Sequence, residues 1–347
     1  MNDREMKNKP FLNETIFFLM LGAVILSACT GKSRREQQIE DSIHNRQIDS
    51  IVAVGVETQA DRTWVMIDSL EAANAVSSQR INYYRALAYN KRGDRKNAEQ
   101  CLVKAMEGDA LLRENRVLFY RAADLLSSSL INRHKNKEAL AVATQGFEAA
   151  KVDQTALGRR WVAMLLNGMG YCEMQLGRGD EAERCFSQAY ITLKQLANSD
   201  ATYDNLMNFA RVSLNIMDAY TSTDQYEKAA EWVESTEEAV ELFVASPECP
   251  ASMRDEYMGG LFVQRAIVLV HNDRRAEADA AYDEALRLNY GKTEWGILEC
   301  ATYLKEAERW DDLQQLLPLV DSVYTAWGDV EAAQQWKEYD KKADPVM

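Results

Sequence analysis

The chain has 347 residues, of which 54 are acidic and 40 are basic, so its formal net charge is −14 at pH 7. An apolar content of 47% is enough to bury a core, and the acidic balance argues against nucleic-acid binding, which needs a basic surface. Only 5 prolines and 16 glycines occur, and no proline lies between Pro10 and Pro247. This scarcity disfavours a loop-rich β-sandwich and favours long helices.

An apolar run at residues 16–26 is the first predicted element. A helix over this run would span about 16 Å, which is too short for a hydrocarbon core of roughly 30 Å. The run ends in small residues, as a secretory signal peptide does. These residues are Leu26, Ser27, Ala28 and Cys29, and the tetrapeptide resembles the lipobox of bacterial lipoproteins.

The lipobox resemblance implies that residues 1–28 are removed and that Cys29 is diacylglycerated and then acylated at its new amino terminus. Residues 29–38 would then form a lipidated tether that begins at Cys29. Thr30 occupies the position where related lipoproteins carry the Asp of inner-membrane retention, which favours the outer membrane of the cell envelope. Two alternatives remain: an ordinary signal peptide cut near Ala28, and a short internal apolar helix.

Residues 39–342 repeat a pattern of small, bulky and small side chains at offsets 0, +4 and +7 on a predicted helix. The clearest copy is Ala98, Leu102 and Ala105. These offsets place the three side chains on one helical face, where small residues let a second helix approach closely. The intervals between successive anchor alanines are 41, 43, 47 and 49 residues, and the anchors are Ala98, Ala139, Ala182, Ala229 and Ala278.

This pattern resembles the tetratricopeptide repeat, in which antiparallel helix pairs stack into a superhelix. The resemblance implies an all-α, α-α superhelical solenoid of about 6–7 helix pairs over residues 39–342, with a capping helix from residue 330 and a tail at 343–347. The intervals exceed the 34 residues of that family, so helices or connecting loops must be longer. The alternative is an unrelated helical bundle.

The predicted turns within the helix pairs agree with this interpretation. Gly93 and Gly177 occupy the same repeat position, where a helix ends and a positive φ is favoured. Asp94, Asp180 and Asp224 lie near the predicted start of the second helix, where carboxylates cap amides and interact with the helix dipole.

No catalytic or metal-binding motif is evident in the sequence. His44, His134 and His271 are far apart and lack the spacing of metal ligands, and no Walker-type loop or Gly-x-Ser-x-Gly occurs. The sequence therefore predicts a protein that is not an enzyme and needs no cofactor or metal.

Five cysteines follow Cys29, and their odd number without a Cys-x-x-Cys pair excludes a regular disulfide framework. Most are expected to be small buried side chains. A disulfide between Cys172 and Cys185 is an alternative in an oxidising periplasm. Cys249, which lies between two prolines, is expected to be the most exposed thiol.

The first helix of each predicted pair should line a concave groove, the surface on which solenoids bind partners. Counting back from the anchor alanines gives the expected groove residues; the alternative for each is an ordinary solvated face. They are Arg80, Tyr83, Asn90, Arg121, Asp124, Asn167, Tyr171, Arg211, Asp218 and His271. The carboxylate clamp known in the tetratricopeptide family is not reproduced.

Three functions fit these observations. The first is a lipid-anchored cell-envelope scaffold that binds a protein or peptide in its groove. The second is a periplasmic sensor or signalling module, because similar repeat arrays form the sensor regions of some histidine kinases. The third is a glycan-binding uptake lipoprotein, although chains of that type are longer and carry large insertions.

Overall fold

The computed structural model describes residues 47–58 and 60–339. The predicted signal peptide, the lipobox with Cys29, the tether 29–38 and the tail 343–347 lie outside these residues. The chain divides after Ala73 into two compact units. The first contains helix α1, described over 47–58, and helix α2 (Ala60–Ala72). Gly55 allows a close approach of these helices, because a Cβ there would lie 2.8 Å from Thr63 Oγ1.

The second unit, from Asn74, is a stack of six antiparallel helix pairs that ends in a short helix. A short helix, α5 (Ala110–Glu114), follows the first pair, and a 3₁₀ turn (Tyr290–Lys292) precedes the last pair. The pairs are α3 (Ser78–Lys91) with α4 (Arg95–Ala105), α6 (Arg116–Ile131) with α7 (Asn136–Ala150), α8 (Ala156–Gln175) with α9 (Gly179–Ser199), α10 (Tyr203–Thr221) with α11 (Tyr226–Val244), α12 (Ala251–His271) with α13 (Arg275–Arg287), and α14 (Glu294–Glu306) with α15 (Trp310–Trp327).

Helix α16 (Val330–Lys337) closes the stack, and Asp329 caps it by accepting a hydrogen bond from the amide of Ala332 at 3.0 Å. No strand occurs among residues 47–58 and 60–339. The expected all-α superhelical solenoid of about 6–7 pairs with a capping helix is therefore confirmed.

Each helix pair turns through one residue in the left-handed region, and this geometry is the most regular feature of the stack. The amide of the following residue donates to the carbonyl five residues earlier, over 2.8–3.0 Å, which is the longer hydrogen bond of a Schellman motif. The left-handed residues have φ between 53° and 74°; they are Gly93, His134, Gly177, Asp224, Asp273 and Glu308. The positive φ expected at Gly93 and Gly177 is confirmed.

The three aspartates expected near the starts of second helices take different places. Asp94 caps α4 by accepting a hydrogen bond from the amide of Asn97 at 3.1 Å, as expected. Asp180 lies in the first turn of α9. Asp224 instead occupies the left-handed turn position, with φ of 58°. The asparagine-like tolerance of aspartate for this region explains how it replaces glycine there.

The anchor residue lies five positions after each left-handed residue, and in the sixth pair it is Leu313 rather than alanine. All five anchor alanines are fully buried. The small side chains bring the helices close together: a Cβ at Gly170 on α8 would lie 2.6 Å from the ring of Phe186 on α9. The repeated small residues thus mark the positions at which the two helices of a pair are in contact.

First helices contact the first helices of neighbouring pairs, whereas the second helices contact mainly first helices. The layer whose members are closer together is the inner one of a curved stack. The first helices α6, α8, α10, α12 and α14 therefore line the concave face. Ion pairs such as Lys228 Nζ–Glu183 Oε2, at 3.2 Å, connect second helices on the outer side.

The expectation that Cys249 is the most exposed thiol is wrong. Its side chain belongs to the hydrophobic core of the middle pairs, because the loop between α11 and α12 turns it inward beside Tyr257. Cys172 and Cys300 are also buried. Cys172 and Cys185 are both free thiols in the structure.

Candidate functional site

The concave face is built from positions 13, 10 and 6 residues before the left-handed residue of each pair. Spacings of three and four residues align side chains on one side of a helix. In the middle of the stack these positions carry polar groups, which no apolar core would favour. They are Asp124 on α6, Asn167 and Tyr171 on α8, and Arg211 and Asp218 on α10.

Arg211 connects the inner helices near Asn167. Its Nη2 donates to Asn208 Oδ1 at 3.0 Å and lies 3.5 Å from Met164 Sδ, one turn before Asn167 on the same face of α8. Burial raises the pKa of Asp124, and the opposing effect of Arg211 shows that this carboxylate on α6 lies in its electrostatic range. Arg211 thus spans the face between α6, α8 and α10.

Asn167 carries an unused acceptor on this face. The residue is 8% exposed, and its Oδ1 is buried without a hydrogen-bond partner. An unpaired buried acceptor costs roughly 1–3 kcal/mol. Asn167 stands between Met164 and Tyr171 along the inner side of α8, where its Oδ1 is buried without a donor.

A second polar cluster lies farther along the groove, centred on Gln264 of α12. Gln264 is 1% exposed; its Oε1 accepts from Thr221 Oγ1 at 3.0 Å, and its Nε2 lies 3.4 Å from Asp218 Oδ1. Glu299 on α14 accepts a 2.8 Å hydrogen bond from the Tyr290 hydroxyl. Gln264 also lies near Glu299 and opposes the effect of burial on the pKa of that carboxyl.

The two carboxylates have raised pKa values. Burial raises the pKa of Asp218 from its ordinary 3.8 to about 6. Burial, followed by repulsion from Asp218, raises the pKa of Glu299 from 4.5 to about 8. Among the described residues no basic side chain forms an ion pair with either group. The cluster is thus a buried polar pocket whose two acids hold their protons more tightly than usual, and we call it the carboxylate pair (Asp218 and Glu299).

Two tyrosines flank the carboxylate pair. Burial raises the pKa of Tyr171 on α8, and the nearby Asp218 raises it further. Burial also raises the pKa of Tyr324 on α15, with smaller contributions from Asp329 and Asp218. Both hydroxyls therefore stay protonated near neutral pH.

Five expected groove residues lie outside this polar region. Arg80 and Tyr83 were expected to line the groove, but they are 0% and 1% exposed and are therefore buried. Arg80 Nε donates to the Tyr84 hydroxyl at 2.7 Å within α3. Asn90 and Arg121 are exposed.

His271 lies at the end of α12, at the edge of the stack rather than in the groove. Its ring stacks on Tyr226 with 3.3 Å between centroids, and its Nε2 lies 3.0 Å from Glu306 Oε2. The spacing from the anchor alanine predicted that His271 lies on the first helix of its pair, which is correct. At the end of that helix, however, its side chain contacts residues of the neighbouring pairs. His271 therefore joins neighbouring pairs.

Sequence reasoning did not identify Gln264, Glu299, Tyr290 and Tyr324. One signal was present: the adjacent glycines 259 and 260 inside α12 indicate a close approach. A Cβ at Gly259 would lie 2.6 Å from Tyr290 Cβ, so these glycines admit the tyrosine that bonds Glu299.

A cavity of about 940 Å³ separates the first turns of the stack from the end of α15. Asn90 is among the residues that line it. His134 Nε2 lies 2.9 Å from Asp329 Oδ2 across this gap, and the Arg95 guanidinium lies 5.0 Å from the Trp327 ring. Arg95 also pairs with Glu294. The curved stack thus brings its second turn to its far end.

Within the part of the chain that the structure describes, no helix is both long and apolar enough to span a bilayer. The same residues contain no group of three or more histidine, cysteine, aspartate or glutamate side chains suited to a metal ion.

No protein-family model matches the chain, and no curated protein matches its sequence. The fold is similar to the crystal structure of the apo form of RapI, with 12% identity, 83% of this chain and 92% of that chain covered, and a TM-score of 0.49. It is also similar to a circular tandem repeat protein, with 13% identity, coverage of 95% and 76%, and a TM-score of 0.28. Because these identities and TM-scores are low, the assignment of a solenoid rests on the helix pairs of this chain and not on the two similar structures.

Proposed function

We propose that this protein is a lipid-anchored, non-catalytic scaffold of the tetratricopeptide type in the cell envelope, which binds a protein partner in its concave groove. The observation that carries the binding role is the buried, unpartnered Oδ1 of Asn167 on the inner face of α8. A folded chain keeps such an oxygen at a cost, which a bound donor removes. The lipobox at residues 26–29 supports the anchor, and Thr30 supports outer-membrane sorting.

The anchor is tested by fractionating cells that produce the chain or its Cys29→Ser variant. Two or more acyl chains hold a protein stably on a bilayer, and without Cys29 no acyl chain can be attached. We expect the native chain in the outer-membrane fraction and the variant in the soluble fraction. Membrane retention of the variant would refute the lipid anchor.

The groove is tested by placing a photo-crosslinking amino acid at Tyr171 or at Ile191 in intact cells. Ile191 on α9 is 53% exposed and serves as the outer-surface control. We expect a discrete crosslinked product from position 171 and none from position 191. The Asn167→Leu substitution should weaken the product from position 171. Equal labelling at both positions would contradict binding in the groove.

A sensor or signalling module is the second candidate, favoured by the contacts between the two ends of the stack. The partly exposed Arg95 and the exposed His134 meet the buried side chains of Trp327 and Asp329 there. In a sensor, partner binding would change the distance across this gap. Labels on residues 132 and 325 would report the change.

A further inference from the structure

The two sides of the gap at the end of the stack belong to opposite edges of the solenoid. Arg95 begins α4 and His134 lies in the turn between α6 and α7, so both stand on the edge that carries the turns within pairs. Glu294 begins α14 and Trp327 ends α15, so both stand on the edge where one pair connects to the next. A flat ring would bring like edges side by side. The stack therefore completes one superhelical turn, with a pitch of about one helix length.

Arg95 makes the first contact between the two edges. Its guanidinium pairs with Glu294, and its Cζ lies 5.0 Å from the centre of the Trp327 ring. Trp327 Nε1 donates to Glu294 Oε2 at 2.9 Å, so the carboxylate and the ring form one site. Such a site attracts a guanidinium both through its charge and through the electron-rich face of the ring.

His134 makes the second contact. Its side chain is 64% exposed, and its Nε2 lies 2.9 Å from Oδ2 of the buried Asp329. The other carboxylate oxygen of Asp329 accepts the hydrogen bond from Ala332 that caps α16. This contact therefore connects the second helix pair to the helix that closes the stack.

The far side of the gap is built from its own helices and does not need the near side. Trp327 is buried in the core of the last pairs, against Tyr324 at 5.9 Å between centroids, and its hydrogen bond to Glu294 joins α15 to α14. Arg95 and His134 reach this surface from partly exposed and exposed positions. The cavity of about 940 Å³ separates the two sides, so side chains rather than packed helices close the gap.

We propose that these side chains form a reversible clasp, which holds the stack in one closed superhelical turn and lets it lengthen when the contacts open. The clasp consists of Arg95, His134, Glu294, Trp327 and Asp329. Its regulatory role rests on the sensor function proposed above, for which it supplies the two states. The inner helices follow the same superhelix, so a longer pitch changes their spacing on the concave face. A partner that favours one pitch therefore shifts the clasp, and by linkage the clasp changes the affinity for that partner.

The experiment measures the gap in the full-length chain purified in detergent, without a partner. Nitroxide labels on noncanonical amino acids at positions 132 and 325, on opposite sides of the gap, report their separation by electron paramagnetic resonance. We expect a single short separation in 0.1 M NaCl. In 1 M NaCl the screening length falls from about 10 Å to about 3 Å, so a population with a longer separation should appear.

The opening variant is Arg95→Glu combined with His134→Asn. Glutamate is favourable at the first position of a helix and repels Glu294, and asparagine tolerates the left-handed turn while reaching less far. We expect the separation to increase by at least about 5 Å, since ion pairs are lost beyond about 4 Å. Adding Glu294→Arg to Arg95→Glu restores the pair with exchanged charges and should shorten the separation again.

The control is Arg184→Glu, which makes the same change of charge on the outer side of α9, where Arg184 pairs with Glu181 of its own helix at 3.0 Å. It should leave the separation unchanged, and circular dichroism checks that every variant is folded. The clasp is refuted if the opening variant keeps the native separation, if the control lengthens it equally, or if the exchanged charges fail to shorten it.

Failure of the clasp is distinct from failure of the sensor function, because these measurements need no partner. The sensor function is tested by photo-crosslinking from Tyr171 in cells. An opening variant whose gap lengthens as expected, but whose crosslinked product equals that of the native chain, would support the clasp and exclude its coupling to the groove.

Discussion

The turns within the helix pairs and the concave face follow the repeat to very different degrees. Every turn has one left-handed residue and the same hydrogen bond from the residue after it. On the concave face the equivalent positions change completely: Asp124, Asn167 and Leu214 share one repeat position, and Tyr171 and Asp218 share another. The repeat therefore specifies how the helices stack, whereas the differences between copies specify the surface that a partner meets.

The largest effect should come from the repeated contact between paired helices. Phe186, fully buried on α9, contacts Gly170 on α8 and packs edge-on against Tyr220 at 5.9 Å between centroids. Phe186→Ala should lower the free energy of unfolding by about 3–5 kcal/mol, because a cavity remains where the ring was.

Urea unfolding followed by circular dichroism measures this loss. Ile191→Ala on the same helix is the control, since that side chain is 53% exposed and its removal should change stability by less than about 0.5 kcal/mol. Similar losses in both variants would show that the repeated contact contributes no more than the outer surface.

The turn geometry predicts the next effect. Gly177 has φ of 74°, and an alanine there should cost about 1–2 kcal/mol because its Cβ crowds the following carbonyl. Gly179, two residues later, lies in α9 with open space around its Cβ position and an ordinary φ. Gly179→Ala should therefore be neutral or slightly stabilising.

Glu308→Gly is the opposite substitution, because Glu308 is a non-glycine residue in the left-handed region, with φ of 57°. It should gain a few tenths to about 1 kcal/mol. The same urea titration applies to the three variants. A loss with Glu308→Gly, or no loss with Gly177→Ala, would contradict the importance of the left-handed residue.

The sequence predicted the part of the fold that depends on the repeat. Alanine anchors and turn glycines are local signals, so Ala98, Ala139, Ala182, Ala229 and Ala278, and with them the helix pairs, could be found without coordinates. The sixth pair was weaker because Leu313 replaces the anchor alanine and Glu308 replaces the glycine.

Residues of the candidate site were predicted only where they lie at a constant distance in sequence from an anchor alanine. Asp124, Asn167, Tyr171, Arg211 and Asp218 were identified because their copies keep the same distance from the anchor. Glu299 and Tyr290 were not, since they meet Gln264 through a 3₁₀ turn and a shorter final repeat. Which groups meet across such an irregular connection depends on tertiary packing, which no local spacing encodes.

On the concave face, Asn167→Leu should separate stability from binding. The substitution removes a buried acceptor that lacks a donor, and the same repeat position already holds Leu214 on α10. We expect the free energy of unfolding to rise by about 1 kcal/mol while crosslinking from Tyr171 falls. Asn205→Leu, whose Oδ1 is also unpaired but lies at the start of α10, is the control that should leave crosslinking unchanged.

The pH dependence of stability tests whether Glu299 is protonated on this face. Because burial raises the pKa of Glu299 to about 8, the folded chain holds a proton that the unfolded chain releases near its ordinary pKa of 4.5. Stability from this group is therefore complete below about pH 4.5 and is lost as the pH rises toward 8. Glu299→Gln, which cannot lose a proton, should lie closest to the native chain at pH 4 and exceed its Tm by a growing margin as the pH rises to 8.5. Glu234→Gln, at an exposed position on α11, should show no such difference. A Tm gain that is the same at both pH values would mean that the carboxylate is not held protonated in the groove, and the concave face would then be as ordinary electrostatically as the outer surface.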